Sequence, residues 1–415
     1  MTEPISSALL FRDPILDRKQ EIAGYHLSLR SDDATGKLRP RHELSAALIG
    51  AYSELGLQSA LGKAVAFIGI DADLLRDDLV EFLPINAVVL ELLLDGPPDP
   101  ATLARCRSLR ERGHQLALTD YRGIEERSRP LLPLVGVVKI DATAARPGEL
   151  ADLAGSLRNL PIRLLAEGVD TREQMEHCRS VGFELFQGRY FAHPEIISGR
   201  RLSASQATLI RLINLVGRDA DSARIEDAFK HEPALTLNLL RIVNSVGYRG
   251  GRLGQPITSL RHAITLFGRR PLQRWLSLLL LAPAGATDPA RAPLLQVAAL
   301  RGRMMELLVQ SGLSRSPDRA PDLAFLTGIL SMMPAALGLP IDEILDQIAV
   351  DSEVRNALCE HRGLLGSVLA LLECFDSDDA PCCDRMLSQL PGHPDRHTLN
   401  TCLSAALRWL NAGGE

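Results

Sequence analysis

The sequence has 415 residues, of which 46% are hydrophobic and 23% are charged, with a formal net charge of −5. This length exceeds one ordinary hydrophobic core and predicts two domains, and the composition excludes a disordered chain. The negative net charge disfavours general binding to nucleic acid or anionic lipid. The longest apolar run, residues 275–283, is shorter than the roughly 18 residues of a membrane span, so we expect no membrane insertion and a cytoplasmic location.

The first half of the sequence alternates between short β-like runs and amphipathic stretches. Runs typical of strands occur at residues 24–30, 64–70, 87–94, 115–121, 135–141, 162–169 and 184–191, and ALLFRDPIL precedes them. In DPATLARCRSLRERG, Pro100 and Gly113 mark the start and the end of a helix with Leu103, Cys106 and Leu109 on one face. This alternation predicts parallel strands with crossover helices, and about eight strands favour a closed TIM-like (β/α)8 barrel.

One strand-like run ends in an acid. In LLAEGVDTREQ, Glu167 follows an apolar stretch and Thr171 is placed to cap a new helix. This pattern brings a carboxylate to the mouth of a barrel. The alternation stops near His193, and from Thr208 onward the sequence is nearly all helical. We therefore predict a multidomain protein, with a barrel domain over residues 1–198 and an all-α domain over residues 199–415.

Several of these segments resemble the EAL domain of cyclic-di-GMP phosphodiesterases. The resemblance rests on FRDPILDRKQEIAGYHLSLR, ALTDY, VVKID and LLAEGVDTREQMEHCRSVGFELFQGRYFAHP, and it covers most of residues 8–194. HEPALTLNLLRIVNSVGY and ITSLRHAITLFGRRPLQRWL are similar to the HDOD domain. Together the two halves resemble the bacterial EAL–HDOD signalling proteins, which implies a (β/α)8 barrel followed by a helical HDOD domain.

The resemblance implies hydrolysis of cyclic di-GMP with two divalent cations, which need several oxygen ligands. His26, Gly69 and Thr119 stand where EAL enzymes have such ligands. We therefore expect no metal cofactor, with magnesium or manganese relevant only to a residual activity. The polar residues that remain at family positions form a predicted ligand pocket, in which Lys139 and Arg30 are the available counter-charges: Arg30, Glu91, Asp120, Lys139, Glu167 and Gln187.

The helical half shows no metal-binding pattern either. HDOD domains resemble HD phosphohydrolases, and Ser331 and Met332 stand where the His-Asp pair of those enzymes is expected. ITSLRHAITLFGRRPLQRWL also fits a helix-turn-helix, with phosphate contacts from Arg261, Arg269, Arg270 and Arg274. The acidic composition favours helix packing instead, so we do not expect nucleic acid as a partner.

Tyr248 and Arg249 lie in a short loop after an apolar helical stretch. Tyrosine and arginine are favoured anchors at protein interfaces, so we predict a partner-binding surface there, with a plain exposed loop as the alternative. Seven cysteines without CxxC spacing predict reduced thiols.

The combined features predict a non-enzymatic signalling regulator that acts through contacts with other signalling proteins, as a monomer or a homo-oligomer. Two alternatives stay open. The first is a cyclic-di-GMP receptor that binds without cleaving, and the second is a weak metal-dependent phosphodiesterase.

Overall fold

The computed structural model describes residues 8–30, 41–54, 57, 61–62, 64–126, 128–146, 148–192, 202–230, 232–244, 257, 259–281, 292–313 and 319–411. They form two compact units. The barrel unit lies within Met1–His193, Cys374–Ser388 and Pro394–Asn411, and the helical unit lies mainly within Pro194–Glu373. The chain thus returns to the barrel unit near its end. The predicted boundary between residues 198 and 199 assigns those last segments to the helical half.

Eight strands close into a barrel in sequence order, which confirms the predicted architecture. They are β1 (Leu9–Asp17), β2 (Ile22–Arg30), β3 (Val65–Asp71), β4 (Val88–Leu93), β5 (Gln115–Leu118), β6 (Val137–Asp141), β7 (Arg163–Glu167) and β8 (Leu185–Gln187). Strands β2 to β8 are parallel, but β1 is antiparallel to both β2 and β8. The expectation of parallel strands throughout was therefore wrong at β1, because residues 18–21 are too few to form a crossover helix.

Short helices connect the parallel strands. They are α1 (Arg41–Glu54), α2 (Ala72–Arg76), α3 (Pro100–Glu111), α4 (Glu149–Leu157) and α5 (Arg172–Val181), with 3-10 turns at Asp78–Phe82 and Leu132–Leu134. The predicted helix starts are confirmed. Pro100 is the first residue of α3, and the side chain of Thr171 accepts a hydrogen bond from Gln174 N–H in a complete capping box at the start of α5.

The centre of the barrel is apolar. Alternate residues of each strand point inward, and seven of them form one buried layer: Ile15, Phe67, Val89, Ala117, Val137, Leu165 and Leu185. Burial of each large side chain of this kind contributes about 1.5–3 kcal/mol. The next inward positions toward the carboxyl ends of β4, β6, β7 and β8 are polar, so the barrel is sealed at its centre and polar at its mouth.

Two helices near the C-terminus complete the barrel unit, α17 (Ala380–Gln389) and α18 (Arg396–Asn411). Asn400 Oδ1 accepts a hydrogen bond from Leu10 N–H at 2.9 Å, and Asn400 Nδ2 donates to Ala8 O at 2.7 Å. Since β8 pairs with β1 only at residues 15–17, this amide satisfies a stretch of strand edge that β8 does not cover.

The helical unit confirms the predicted all-α half. Its helices are α6 (Ala204–Gly217), α7 (Ser222–Lys230), α8 (Pro233–Val243), α9 (Leu260–Phe267), α10 (Arg269–Leu280), α11 (Pro293–Leu308), α12 (Ala320–Leu330), α13 (Met333–Leu337), α14 (Ile341–Gln347), α15 (Ser352–Glu360) and most of α16 (Gly363–Asp376). Gly302 and Gly328 let α11 and α12 cross closely, because a Cβ on Gly328 would lie 2.6 Å from Gly302 Cα. The stretch Ala320–Leu337 is apolar and long enough to be a candidate membrane span, yet 61% of it is buried, as in a core helix.

Four arginines that also fit a helix-turn-helix are bound within the helical unit. Each contacts an acid or a backbone carbonyl: Arg261 with Glu226, Arg269 with Ala220 O, Arg270 with Asp322, and Arg274 with Glu306. These contacts favour the packing interpretation of this segment over phosphate binding.

Candidate functional site

Four ionisable side chains are linked at the mouth of the barrel. Lys139 Nζ lies 3.4 Å from Glu91 Oε1 and 3.1 Å from Glu167 Oε1. His26 Nε2, from β2, lies 3.3 Å from the other oxygen of Glu91. We call His26, Glu91, Lys139 and Glu167 the mouth cluster. Its existence confirms Lys139 as the counter-charge of two of the predicted acids.

Glu91 and Lys139 form a buried pair, with side-chain exposures of 1% and 3%. Burial alone would raise the pKa of Glu91, but the charges of Lys139 and His26 outweigh it and lower that pKa to about 2. Burial likewise acts to lower the pKa of Lys139, and the charges of Glu91 and Glu167 raise it. Both groups are therefore ionised at neutral pH, and each depends on the other to remain so.

Asp120, another acid of the predicted pocket, pairs with a residue outside the mouth cluster. Strand β5 ends at Leu118, and Asp120, at a φ of 51°, pairs with the exposed Arg122 at 3.1 Å. The inward position beyond Ala117 is Thr119, whose hydroxyl donates to Leu92 O at 3.0 Å.

Two further predicted positions behave differently from the cluster. Arg30 ends β2 as an exposed side chain, outside the ion pairs of the mouth cluster. Gln187 ends β8 and is buried, and its Oε1 has no hydrogen-bond partner in the structure. His26 Nδ1 is also buried without a partner. These two atoms are polar groups that a ligand at the mouth would satisfy.

Gly69 leaves no room for a ligand side chain without movement. It occupies the inward position beyond Phe67 on β3, and a Cβ there would lie 2.8 Å from Leu93 Cδ1. Within the described residues, no group of three or more His, Cys, Asp or Glu side chains is arranged to hold a metal ion.

The sequence did not point to a second polar group on the β1 side of the mouth. Asp13 is the inward residue beyond Ile15, and Arg189 Nη2 lies 3.3 Å from Asp13 Oδ1. The same guanidinium lies 3.5 Å from Asp378 Oδ1. Asp13 was detectable by its alternation with Ile15, whereas Asp378 is 365 residues away in the sequence and carries no local signal.

In the helical unit, Ser331 faces an arginine. Arg301 Nη1 donates to Ser331 Oγ at 2.8 Å, and Ser331 Oγ donates to Gly328 O. Met332 is buried. The predicted interface residues Tyr248 and Arg249 lie outside the described residues, so that surface stays a prediction. Asn244, just before them, holds Ile257 through two hydrogen bonds, of 2.8 and 2.9 Å.

Known proteins resemble both halves of the chain. Residues 203–333 match the family model of the HDOD domain. The chain is 26% identical over 406 residues to the uncharacterized protein YuxH of Bacillus subtilis, covering 96% of this chain and 97% of that protein. It is 28% identical over 387 residues to the cyclic di-GMP phosphodiesterase CdgJ of Vibrio cholerae, covering 89% of this chain and 84% of that protein.

A solved structure of the Bacillus subtilis protein YkuI, with an EAL domain and in complex with its substrate c-di-GMP and calcium, is also similar. The identity is 17% and the TM-score 0.36, over 60% of this chain and 70% of YkuI.

Proposed function

We propose that this chain, in which an EAL-type barrel precedes an HDOD domain, is a non-enzymatic signalling regulator that acts through contacts with other proteins. Its resemblance to a protein named a cyclic di-GMP phosphodiesterase suggests a place in cyclic-di-GMP signalling. The proposal departs from that name in one respect, since the barrel mouth of this chain is proposed to leave the nucleotide uncleaved.

The shortage of uncommitted oxygen donors at the mouth carries the proposal. Two divalent cations need several carboxylate or amide oxygens, which neutralise and position them. Here Glu91 is engaged by His26 and Lys139, and Glu167 by Lys139. Gly69 offers no side-chain donor, and the hydroxyl of Thr119 is directed to a backbone carbonyl. The residues present therefore do not fit a pair of catalytic metal ions.

The first alternative is a receptor that binds cyclic di-GMP without cleaving it. Two buried atoms without partners, Gln187 Oε1 and His26 Nδ1, support this alternative because a bound nucleotide would satisfy them. Arg30 is exposed at the end of β2 and presents a guanidinium suited to a phosphate. The carboxylates of the mouth cluster oppose binding, although Lys139 neutralises part of their charge.

The second alternative is a weak phosphodiesterase, which the name of the Vibrio cholerae relative favours. A hydrolysis assay with magnesium and with manganese separates it from the other two functions. We expect no turnover with either metal. Turnover that disappears with a chelator and with Glu167→Gln would establish the enzyme and refute the proposal.

A pull-down from the source cell, with and without cyclic di-GMP, tests the regulator directly. We expect specific signalling proteins to be recovered in both conditions if the nucleotide is not a ligand. Calorimetry with cyclic di-GMP on the full chain then identifies the receptor alternative by a saturable heat of binding. Failure to recover any specific partner, together with saturable nucleotide binding, would favour the receptor over the regulator.

A further inference from the structure

The chain segment around residues 374–382 lies against the mouth of its own barrel. Phe375 packs on the inward-facing Phe11 of β1, with ring centroids 5.1 Å apart. Asp378 reaches Arg189, which also contacts Asp13, the inward residue next along β1. Because these contacts involve inward positions of β1, the segment covers that side of the mouth rather than the outer wall of the barrel.

Asp378 lies beside the guanidinium of Arg189, a group that binds anions. Burial and the neighbouring Asp13 raise its pKa to about 7, while the charges of Arg189 and Arg30 act to lower it. The Arg189 guanidinium lies 3.5 Å from this carboxylate, and the positive charge of Arg30 also acts on it. Arginine binds phosphate and carboxylate oxygens with the same geometry. The carboxylate of Asp378 therefore stands where Arg189 would hold a phosphate.

The turn at Asp378 depends on its contacts. Its φ of 51° lies in the left-handed region, which residues other than glycine adopt rarely and at a cost in free energy. Inside the turn, backbone N–H groups of Ser377 and Asp379 both donate to Cys374 O. Such a conformation is stable only when its surroundings hold it, so loss of the surrounding contacts should release the turn.

A disulfide between Cys374 and Cys382 closes this loop at both ends. The expectation of reduced thiols is therefore wrong for this pair, while the other five cysteines form no disulfide. Both bonded cysteines are only half-buried, so a small reductant can reach them. The disulfide spans residues 375–381, which include both residues that contact the barrel mouth. We call residues 375–381 the lid loop.

We propose that the lid loop is an internal, redox-controlled lid of the barrel mouth: Asp378 takes the place of an anionic ligand at Arg189, and the Cys374–Cys382 disulfide keeps the loop in that position. Opening requires a dithiol reductant. A thiolate of the dithiol attacks one sulfur of the disulfide, the S–S bond breaks, and the second thiolate resolves the mixed disulfide. The two cysteines gain two electrons and two protons, and the dithiol is oxidised to a disulfide.

Hydrogen exchange followed by mass spectrometry tests whether the disulfide holds the lid loop in place. The full chain is compared after oxidation with glutathione disulfide and after reduction with dithiothreitol. Reduction should accelerate amide exchange in residues 374–383 at least several-fold, since the turn loses its covalent closure. Cys382→Ser should exchange fast without reductant. Cys359→Ser is the matched control, because Cys359 is a free, half-buried cysteine, and this variant should behave as the parent chain. Equal exchange in the oxidised and reduced chains, or failure of Cys374 and Cys382 to form a disulfide, would refute the role of the disulfide in holding the lid loop.

The role of the lid rests on the receptor alternative of the proposed function, in which the mouth meets cyclic di-GMP, so calorimetry with cyclic di-GMP forms a separate arm. We expect the reduced chain and oxidised Asp378→Asn to bind at least tenfold more tightly than the oxidised parent. Equal, measurable binding in all three would overturn the lid even if exchange rises. Faster amide exchange on reduction, with no binding of cyclic di-GMP in any state, would support the role of the disulfide in holding the lid loop. It would also exclude cyclic di-GMP as the ligand that the lid loop controls and refute the receptor alternative.

Discussion

Replacement of Lys139 with methionine should destabilise the barrel unit by about 3–5 kcal/mol, the usual cost of leaving one member of a buried ion pair without its partner. Glu91 is 1% exposed and would keep only the contact with His26 Nε2 within the mouth cluster. The pKa of Glu91 gives an independent magnitude. Its decrease from 4.5 to about 2 corresponds to about 3 kcal/mol, at roughly 1.4 kcal/mol per unit.

The double variant Glu91→Gln, Lys139→Met separates a lost charge pair from a lost side chain. With both charges removed, no ionised group is left buried, and the double variant should be more stable than Lys139→Met alone. Arg122→Met is the matched control. Its contact with Asp120 is also an ion pair, but both partners are exposed, so the loss should be below about 1 kcal/mol.

Urea unfolding followed by tryptophan fluorescence measures these differences. The chain has two tryptophans, Trp275 in the helical unit and Trp409 in the barrel unit. In a Trp275→Phe background the signal comes from the barrel unit alone, which avoids mixing two transitions. A cost for Lys139→Met no larger than that for Arg122→Met, or a double variant no more stable than the single variant, would refute the buried pair.

Three other predictions test the mouth and the loop after α8. His26→Glu alone should not create phosphodiesterase activity with manganese, since two-metal chemistry needs both ions. The smallest set of substitutions that could restore activity is His26→Glu with Gly69→Asn and Thr119→Asp. Activity from the single variant would show that the other ligand positions are assigned wrongly. Asp378→Asn should flatten the pH dependence of barrel-unit stability between about pH 4 and 7. Because the pKa of Asp378 is raised in the folded chain, that chain binds more protons than the unfolded chain in this range, so the stability of the parent falls as pH rises. An unchanged pH profile in the variant would contradict this prediction. Alanine at both Tyr248 and Arg249 should weaken partner recovery and leave the melting temperature nearly unchanged; a large drop in melting temperature would indicate a structural pair.

Local sequence patterns were sufficient for most of the barrel. The apolar run before Glu167 is β7, and Thr171 caps the next helix as its position predicted. The direction of β1 was also accessible, because the short connection at residues 18–21 leaves room for a turn and not for a helix. The left-handed backbone at Asp120, by contrast, has no signal in the alternation of β5, which ends at Leu118. The error at β1 came from counting strands without considering the length of their connections.

The contacts made by the C-terminal segment were beyond any local pattern. Asn400 binds Leu10 across 390 residues, and Phe375 packs on Phe11 at a similar separation. Nothing near either partner in the sequence identifies the other, because such contacts are fixed by the tertiary fold and not by periodicity. For the same reason the Cys374–Cys382 pair could not be separated from five other cysteines by spacing alone.

Two charge arrangements at the mouth differ in whether they can be undone. Lys139 projects from the middle of β6 and is buried between two acids, so its ammonium stays at the mouth for as long as the barrel is folded. Asp378 contacts Arg189 only while a turn in the left-handed region is held in place. The charge of Lys139 is therefore a fixed property of the folded barrel. The position of Asp378 at the β1 side depends on whether the lid loop is held in place. A regulator without chemistry needs a feature that changes with conditions, and of these two arrangements only the lid loop supplies it.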